Sequence, residues 1–368
     1  MAPKPKKPIA KRKVSAKPLL ELDLALQGGG SHGAFTWGVL DRLLEEEDIH
    51  ISGISGTSAG AMNGAMLIDG YHRGGRAGAK KQLHDFWQRI STVACQSGGP
   101  FGQQMPSGFL SHIPGMEWLS ALNPMEMITR VFSPYEYNPT NYNPLRNVLE
   151  EALDIDNLHN GIKLFVTATN VETGEARIFK DGEISIDVLL ASACLPFISQ
   201  AVEIDGVPYW DGGYMGNPAI WPLIYGTDCH DVLLVQINPI RRAGTPKHAM
   251  DIINRVNEIS FNSSLIAEMR AINFVRKLIK KGKLSNKEYA AIRMHRVVPP
   301  MEKQDEMNAA SKMNASWDFF MMLHGLGRQQ MEQWLKQNKK YIGKESSIDI
   351  EEQFLKRSSN HHRKSETQ

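Results

Sequence analysis

The sequence predicts an α/β fold with neighbouring parallel strands, on three observations. An apolar run at 22–26 leads into Gln27, Gly28, Gly29, Gly30, Ser31, His32 and Gly33. A second run at 49–54, with Ile49, Ile51 and Ile54, leads into Gly56, Thr57, Ser58, Ala59 and Gly60. Each glycine turn is followed by a stretch with helical periodicity: Phe35, Val39 and Leu43 share a face over 34–46, and Ala61, Met62, Ala65, Met66 and Leu67 follow Ser58. Strand, glycine loop, helix, strand, turn, helix is a βαβα unit. Its crossover makes the two strands parallel and puts both glycine turns at the C-terminal ends of adjacent strands, where open α/β sheets hold ligands.

Further along, 83–90 reads as helix. From Cys95 to Pro144 the periodicity fades: seven prolines interrupt a stretch kept apolar by Phe101, Phe109, Met116, Trp118, Met125, Met127 and Phe132. An excursion of this kind reads either as a cap over a site or as part of the core. A helix follows from Asn143 through Leu153. Two hairpins are expected, 163–169 with 176–179 and 202–204 with 207–210, the second turning at Asp205 and Gly206 and running into Asp211, Gly212 and Gly213. Between them 185–194 reads as helix, stopped by Pro196. A buried strand at 232–237 precedes a long helix at 251–279 with Ile252, Val256, Ile259, Ile266 and Met269 near one stripe, and 319–335 is a final helix.

The 368 residues are 42% apolar and 22% charged, ordinary for a globular chain. No run approaches the roughly 18 uncharged apolar residues of a membrane span, and the N-terminus has no apolar segment for a cleavable signal. This points to a cytoplasmic protein, with a peripheral membrane location also open. Cys95, Cys194 and Cys229 are odd in number and widely spaced, and are expected as small core residues in a reducing compartment. Residues 1–18 carry Lys4, Lys6, Lys7, Lys11, Arg12, Lys13 and Lys17 with no acid, among four prolines. Such a stretch cannot bury a core. It reads as a solubilising tail or as an electrostatic tether to an anionic partner, and no specific nucleic-acid module accompanies it. The polar residues 343–368 are expected as a second tail.

The chemistry centres on Ser58. Gly-x-Ser-x-Gly between strand and helix is the context of a nucleophile elbow, although the pentapeptide alone is a weak signal and its flanks carry the reading. Gly28, Gly29 and Gly30, directly after a strand, can turn backbone N–H groups toward one point as an oxyanion site. Gly28-x-Gly30-x-x-Gly33 also satisfies a dinucleotide pattern, but the acid expected about 20 residues on is replaced by the serine turn. No Gly-Lys-Ser/Thr makes a phosphate loop. For a base, His230, His248, His295 and His324 are available to a Ser-His-Asp arrangement, yet none is marked by its neighbours. Asp211 is: a hairpin strand delivers it, two glycines follow it, and its hairpin already has a turn at Asp205. No metal-ligand spacing and no cofactor site are found.

Gly-Gly-Gly-x-x-Gly at 28–33, Gly-Thr-Ser-Ala-Gly at 56–60 and Asp-Gly-Gly at 211–213, in that order, resemble the patatin-like phospholipase family. Ala191, Ser192 and Ala193 with Pro196 and Phe197, Phe132 to Tyr135, and Asn143 to Arg146 resemble segments of its bacterial members. The resemblance implies a three-layer α/β/α sandwich with a mostly parallel central sheet over 19–342, with 95–144 as a cap or lid. It implies a lipid acyl hydrolase of phospholipase A or lysophospholipase type acting on lipid esters, at a membrane or lipid surface. Ser58 would be nucleophile and Asp211 general base and then acid. Gly28, Gly29 and Gly30 would form the oxyanion hole, with Gly33, Gly56, Gly60, Gly212 and Gly213 as motif glycines. One departure stands out: the family usually has Arg or Lys in the glycine loop where this chain has His32, which puts a head-group preference in doubt but not ester hydrolysis. The alternatives are a non-catalytic scaffold of the same fold recruited to an anionic surface by its basic tail, and a Ser-His-Asp α/β-hydrolase esterase.

Overall fold

The computed structural model describes residues 19–96, 132–159, 161–242, 244–247, 249–285, 289–304, 307 and 311–356. Eight strands form one mixed sheet: β1 (Leu20–Leu26), β2 (Ile49–Gly56), β3 (Lys163–Asn170), β4 (Ala176–Lys180), β5 (Val202–Ile204), β6 (Val207–Asp211), β7 (Asp231–Val235) and β8 (Arg293–Val297). Their order is β5-β6-β3-β2-β1-β7-β8, with β4 on β3. The run β3-β2-β1-β7-β8 is parallel and the two hairpins are antiparallel.

The strands are apolar on both faces, as a parallel sheet between helices requires. Leu24 and Leu26 enter one core with α1 (Gly33–Leu43), α2 (Ala59–Gln96), α3 (Pro144–Ala152), α4 (Ile186–Ser192) and α7 (Trp317–Asn338). Ala25, Val232 and Leu234 point the other way, into a core with α5 (Trp221–Gly226) and α6 (Ala249–Lys280). Period-two alternation along β1 and β7 thus assigns side chains to the two faces and makes three layers. The expected sandwich and both hairpins are present.

The register around β3 places the site. β4 occupies one edge of β3 from Phe165 to Thr169. The other edge is shared: β2 pairs with it up to Gly56 opposite Val166, and β6 takes over with Asp211 opposite Ala168. β2 therefore leaves the sheet at Gly56, two residues before Ser58, where β6 delivers Asp211.

The expected helices after Ser58 and over 83–90 are both present, meeting at a kink at Gly74 and Gly75 within α2, where Gly75 has φ 58°. Three expectations are corrected. Of the α6 stripe, Met269 is buried, whereas Ile252, Val256 and Ile259 are exposed, because the face that this half of the helix turns inward carries Glu258 and Asn262 instead. Cys194 and Cys229 are buried but Cys95, in the last turn of α2, is exposed. The C-terminal tail starts later than 343: Ser346 and Ser347 hydrogen-bond the Met294 N–H and the His295 ring, and Ile350 and Phe354 are buried against the α5–α6 face. Residues 97–131 of the expected cap, and residues 1–18, lie outside the described residues. Among the described residues no helix is long and apolar enough to cross a membrane, and no cluster of acids, histidines and cysteines could hold a metal ion.

Candidate active site

Ser58 sits between the end of β2 and the first turn of α2, with φ 54°, a left-handed conformation that is costly for a residue with a Cβ. The turn is held on all sides. Thr57 N–H donates to Leu26 O at 3.3 Å, Thr57 Oγ1 to Gly216 O at 2.6 Å, and Ser58 N–H to Ser192 Oγ at 2.9 Å. Gly60 is required by close approach: a Cβ there would lie 2.2 Å from Leu26 O. The strain projects the Ser58 side chain at the positive end of α2, into a cavity.

Asp211 is the last residue of β6 and only 3% exposed. Its Oδ1 accepts the Gly213 N–H at 2.7 Å, which is what the second glycine of Asp-Gly-Gly does here. Its N–H donates to Cys194 O at 2.7 Å, and its carbonyl accepts Thr169 Oγ1 at 2.8 Å. Burial pushes the carboxyl up to about 7, against the opposing pull of the Gly213 N–H, the facing Ser58 hydroxyl and the charge of Lys312.

The glycine loop meets this pair from β1. A Cβ on Gly28 would lie 2.7 Å from Ser58 Cβ, so the absence of a side chain lets the loop backbone reach the serine. Here the sequence expectation needs correction. The Gly28 N–H is not available to a substrate, because it donates to Asn217 Oδ1 at 2.7 Å. Gly28 O in turn accepts Asn238 Nδ2 at 2.7 Å. The clamp extends into a buried amide network in which Gln27 Oε1 accepts the Ile237 and Asn238 N–H groups at 2.9 Å, and Gln27 Nε2 donates to Asn217 O at 3.0 Å and Asn262 Oδ1 at 3.2 Å. Among the described residues the N–H groups of Gly29 and Gly30 have no hydrogen-bond partner, and both residues line the cavity. Gly33 opens α1, Gly56 closes β2, and Gly212 packs on Thr167 O.

His32, the departure in the loop, is fully buried, with Nε2 2.8 Å from Ser311 Oγ. Burial, reinforced by the charges of Lys312 and Arg242, pushes it down to about 3, so it is a neutral structural residue at physiological pH. None of the other candidate histidines among the described residues reaches Ser58. His295 is enclosed between Asp231 and Ser347, His324 stacks 4.0 Å from Trp37 and faces Asp41, and His230 is exposed beyond α5. His248 lies outside the described residues. Among the described residues lining the cavity there is no histidine.

The cavity has about 1330 Å³ of empty space, its mouth included, and two unlike ends. Ser58, Asp211, Asn217, Lys312 and the glycine loop make one end polar. The rest is an apolar corridor walled by Phe86, Trp87 and Ile90 of α2, Leu145 and Val148 of α3, and Leu195 with Ile198. Sequence reasoning missed Asn217, Asn238 and Lys312, which carry no local motif and reach the site only through folding, and it named Ser192 only as part of a family-like segment.

A mostly parallel α/β/α sandwich thus carries a strained serine turn, a glycine loop and a buried carboxylate around one cavity. The chain belongs to the patatin-like phospholipase family, whose model matches residues 24–224. Comparison with curated proteins finds no match. Among solved structures it is similar to VipD from Legionella pneumophila, at 16% identity and a TM-score of 0.36 over 92% of this chain and 73% of that one. It is also similar to ExoU in the heterodimeric ExoU-SpcU complex of the type III secretion system of Pseudomonas aeruginosa, at 15% identity and a TM-score of 0.39, over 92% of this chain and 57% of that one. For a second structure of the type III effector ExoU the values are 15% and 0.32, over 87% and 53%. The chain thus spans little more than half the length of the ExoU chains.

Proposed function

We propose that this protein is a serine-dependent carboxylic ester hydrolase of lipids, of phospholipase A or lysophospholipase type, with a Ser58–Asp211 dyad. The observation that carries this reading is the shared edge of β3, which brings Ser58 beside a buried carboxylate with no histidine between them among the described residues. The Asp211 carboxylate takes the Ser58 proton as Oγ attacks the ester carbonyl carbon. A carboxyl near 7 is a far better base at neutral pH than an ordinary aspartate near 4. The oxygen that gains negative charge meets the Gly29 and Gly30 N–H groups, each donor being worth about 3 kcal/mol in such sites. Collapse expels the alcohol, which takes the proton from Asp211, and water then releases the acid by the same route in reverse.

The apolar corridor suits the acyl chain, and the lipid is reached at a membrane surface by a cytoplasmic enzyme. The test is labelling by a fluorophosphonate with hydrolysis of a short-chain p-nitrophenyl ester. Wild type should label at Ser58 and turn over. Ser58→Ala and Asp211→Asn, folded by circular dichroism, should lose at least about 1000-fold. A folded Ser58→Ala protein with full activity would refute the assignment.

A further inference from the structure

The glycine loop has no cation of its own, because His32 is buried and neutral. A cation nevertheless stands over it, brought from the far end of the chain. The carbonyl of Lys312 lies 2.6 Å from where a Cβ on Gly30 would be, so this residue roofs the loop. Its side chain turns into the polar end of the cavity, where Nζ donates to Asn238 Oδ1 at 2.7 Å, 5.9 Å from the centre of the Phe261 ring.

Among the described residues lining the cavity, Lys312 is the one cation, and it makes no salt bridge. The nearby acids are committed elsewhere. Glu258 is held by Arg242 and Arg255, and Asp211 accepts the Gly213 N–H and faces Ser58. A buried ammonium fixed by a neutral amide, attracted by Glu258 and Asp211 but paired with neither, is costly unless an anion meets it. Burial pushes it down to about 8, which leaves it mostly charged at neutral pH. The same cavity is walled by the apolar side chains of Phe86, Trp87, Ile90, Leu145 and Val148.

We propose that Lys312 is the head-group anchor of this site, holding the phosphodiester of a glycerophospholipid while an acyl ester of the same molecule lies against Ser58. This rests on the lipid-hydrolase reading and names its substrate class. It places specificity on a residue outside the matched stretch 24–224.

The experiment uses the full chain as wild type, Lys312→Met and Lys312→Arg, with neutral-detergent micelles of dioleoyl phosphatidylglycerol or dioleoylglycerol, which share acyl chains and differ in the phosphate. Fatty-acid release gives kcat and KM for each. The Met variant should lower the ratio of kcat/KM for the phospholipid over the diacylglycerol by about tenfold or more, mainly through KM, as expected for loss of a charge-assisted hydrogen bond. The Arg variant should restore most of that ratio. An equal loss on both lipids would mean that Lys312 acts through Asp211 or the loop, and would overturn the proposal, as would no loss on either. Binding of the non-hydrolysable dialkyl-ether phosphatidylglycerol, read from tryptophan fluorescence, is measured in parallel. If wild type neither turns over nor labels at Ser58, the hydrolase reading fails. Lys312 is then judged by this binding alone: a tenfold weaker Met variant supports the anchor, and equal affinity overturns it.

Discussion

Asn217 Oδ1 accepts the Gly28 N–H at 2.7 Å, so the first glycine of the loop is a fixed point rather than a donor to substrate. Asn217 is fully buried and works with Asn238 to grip Gly28 from both its N–H and its carbonyl. The grip sets the direction in which the Gly29 and Gly30 N–H groups point. Asn217→Ala should cost about 1–3 kcal/mol in urea unfolding, the usual penalty for a buried backbone donor left unpaired. It should also lower kcat by roughly 10- to 100-fold with little change in KM, because the loss falls on the charge that develops in the transition state. Unchanged kcat would show that the loop holds its shape without the clamp.

The pH profile follows from Asp211. As a base it must be ionised, so kcat/KM should rise with pH through an apparent value near 7 and then level off. The charge of Lys312 holds the Asp211 carboxyl down, so Lys312→Met should move this limb to higher pH. Stability runs the opposite way. The folded carboxyl lies near 7 and the unfolded one near 4, so across that window the folded state keeps a proton that the unfolded state has lost, and stability falls as pH rises. Asp211→Asn removes this fall. Its gain in unfolding free energy over wild type should grow by a few kcal/mol, on the order of the shift, between pH 4 and pH 8. Asp23 and Glu268, also pushed up to about 7 by burial, contribute to both proteins and cancel in the difference.

Gly38 offers a contrast in which stability and chemistry separate. It lies on α1, where a Cβ would come 2.0 Å from the His324 carbonyl oxygen on α7, so the two helices touch backbone to backbone. Gly38→Ala must push α7 away and should cost about 3 kcal/mol or more in thermal or urea unfolding, an overpacking penalty at its upper end. The activity of the molecules that remain folded should stay near that of wild type. A Gly38→Ala protein as stable as wild type would mean that α7 can slide without loss.

Removal of residues 1–18 tests the tail as a tether. Seven basic residues near an anionic bilayer contribute on the order of 1 kcal/mol each at low salt. The truncated chain should therefore sediment far less with vesicles containing phosphatidylserine, and the difference should vanish in high salt. Hydrolysis of a soluble p-nitrophenyl ester should be unaffected. Equal sedimentation of both chains would leave the tail as a solubilising segment.

What was legible in the sequence is what local sterics dictate. Gly60 has no alternative against Leu26 O, and the turn at Asp205 and Gly206 announces its hairpin, so the strand-turn-helix around Ser58 and the place of Asp211 at a strand end could be read from the local residues. What was hidden depends on distant partners. β8 reads Arg-Met-His-Arg-Val and looks like a solvated loop, yet Arg293 and His295 both close on Asp231 in β7 and Arg296 on Gln236. The stretch after Gly343 has a polar composition, and only Ile350 and Phe354 tie it to the core. Lys312 and Asn217 sit in unremarkable surroundings and gain their roles by meeting Gly30 and Gly28 across the fold.

The Ser311–Lys312 roof gives the molecule an order of assembly. His32 and Ser311 are 279 positions apart, so the glycine loop stays without its roof until that intervening stretch has been made. A nascent polypeptide that already displays the serine turn still has an uncovered loop and no cation beside it. On the proposed reading, a chain cut short of Ser311 would lack both the roof over the glycine loop and the Lys312 cation, so its site would be incomplete.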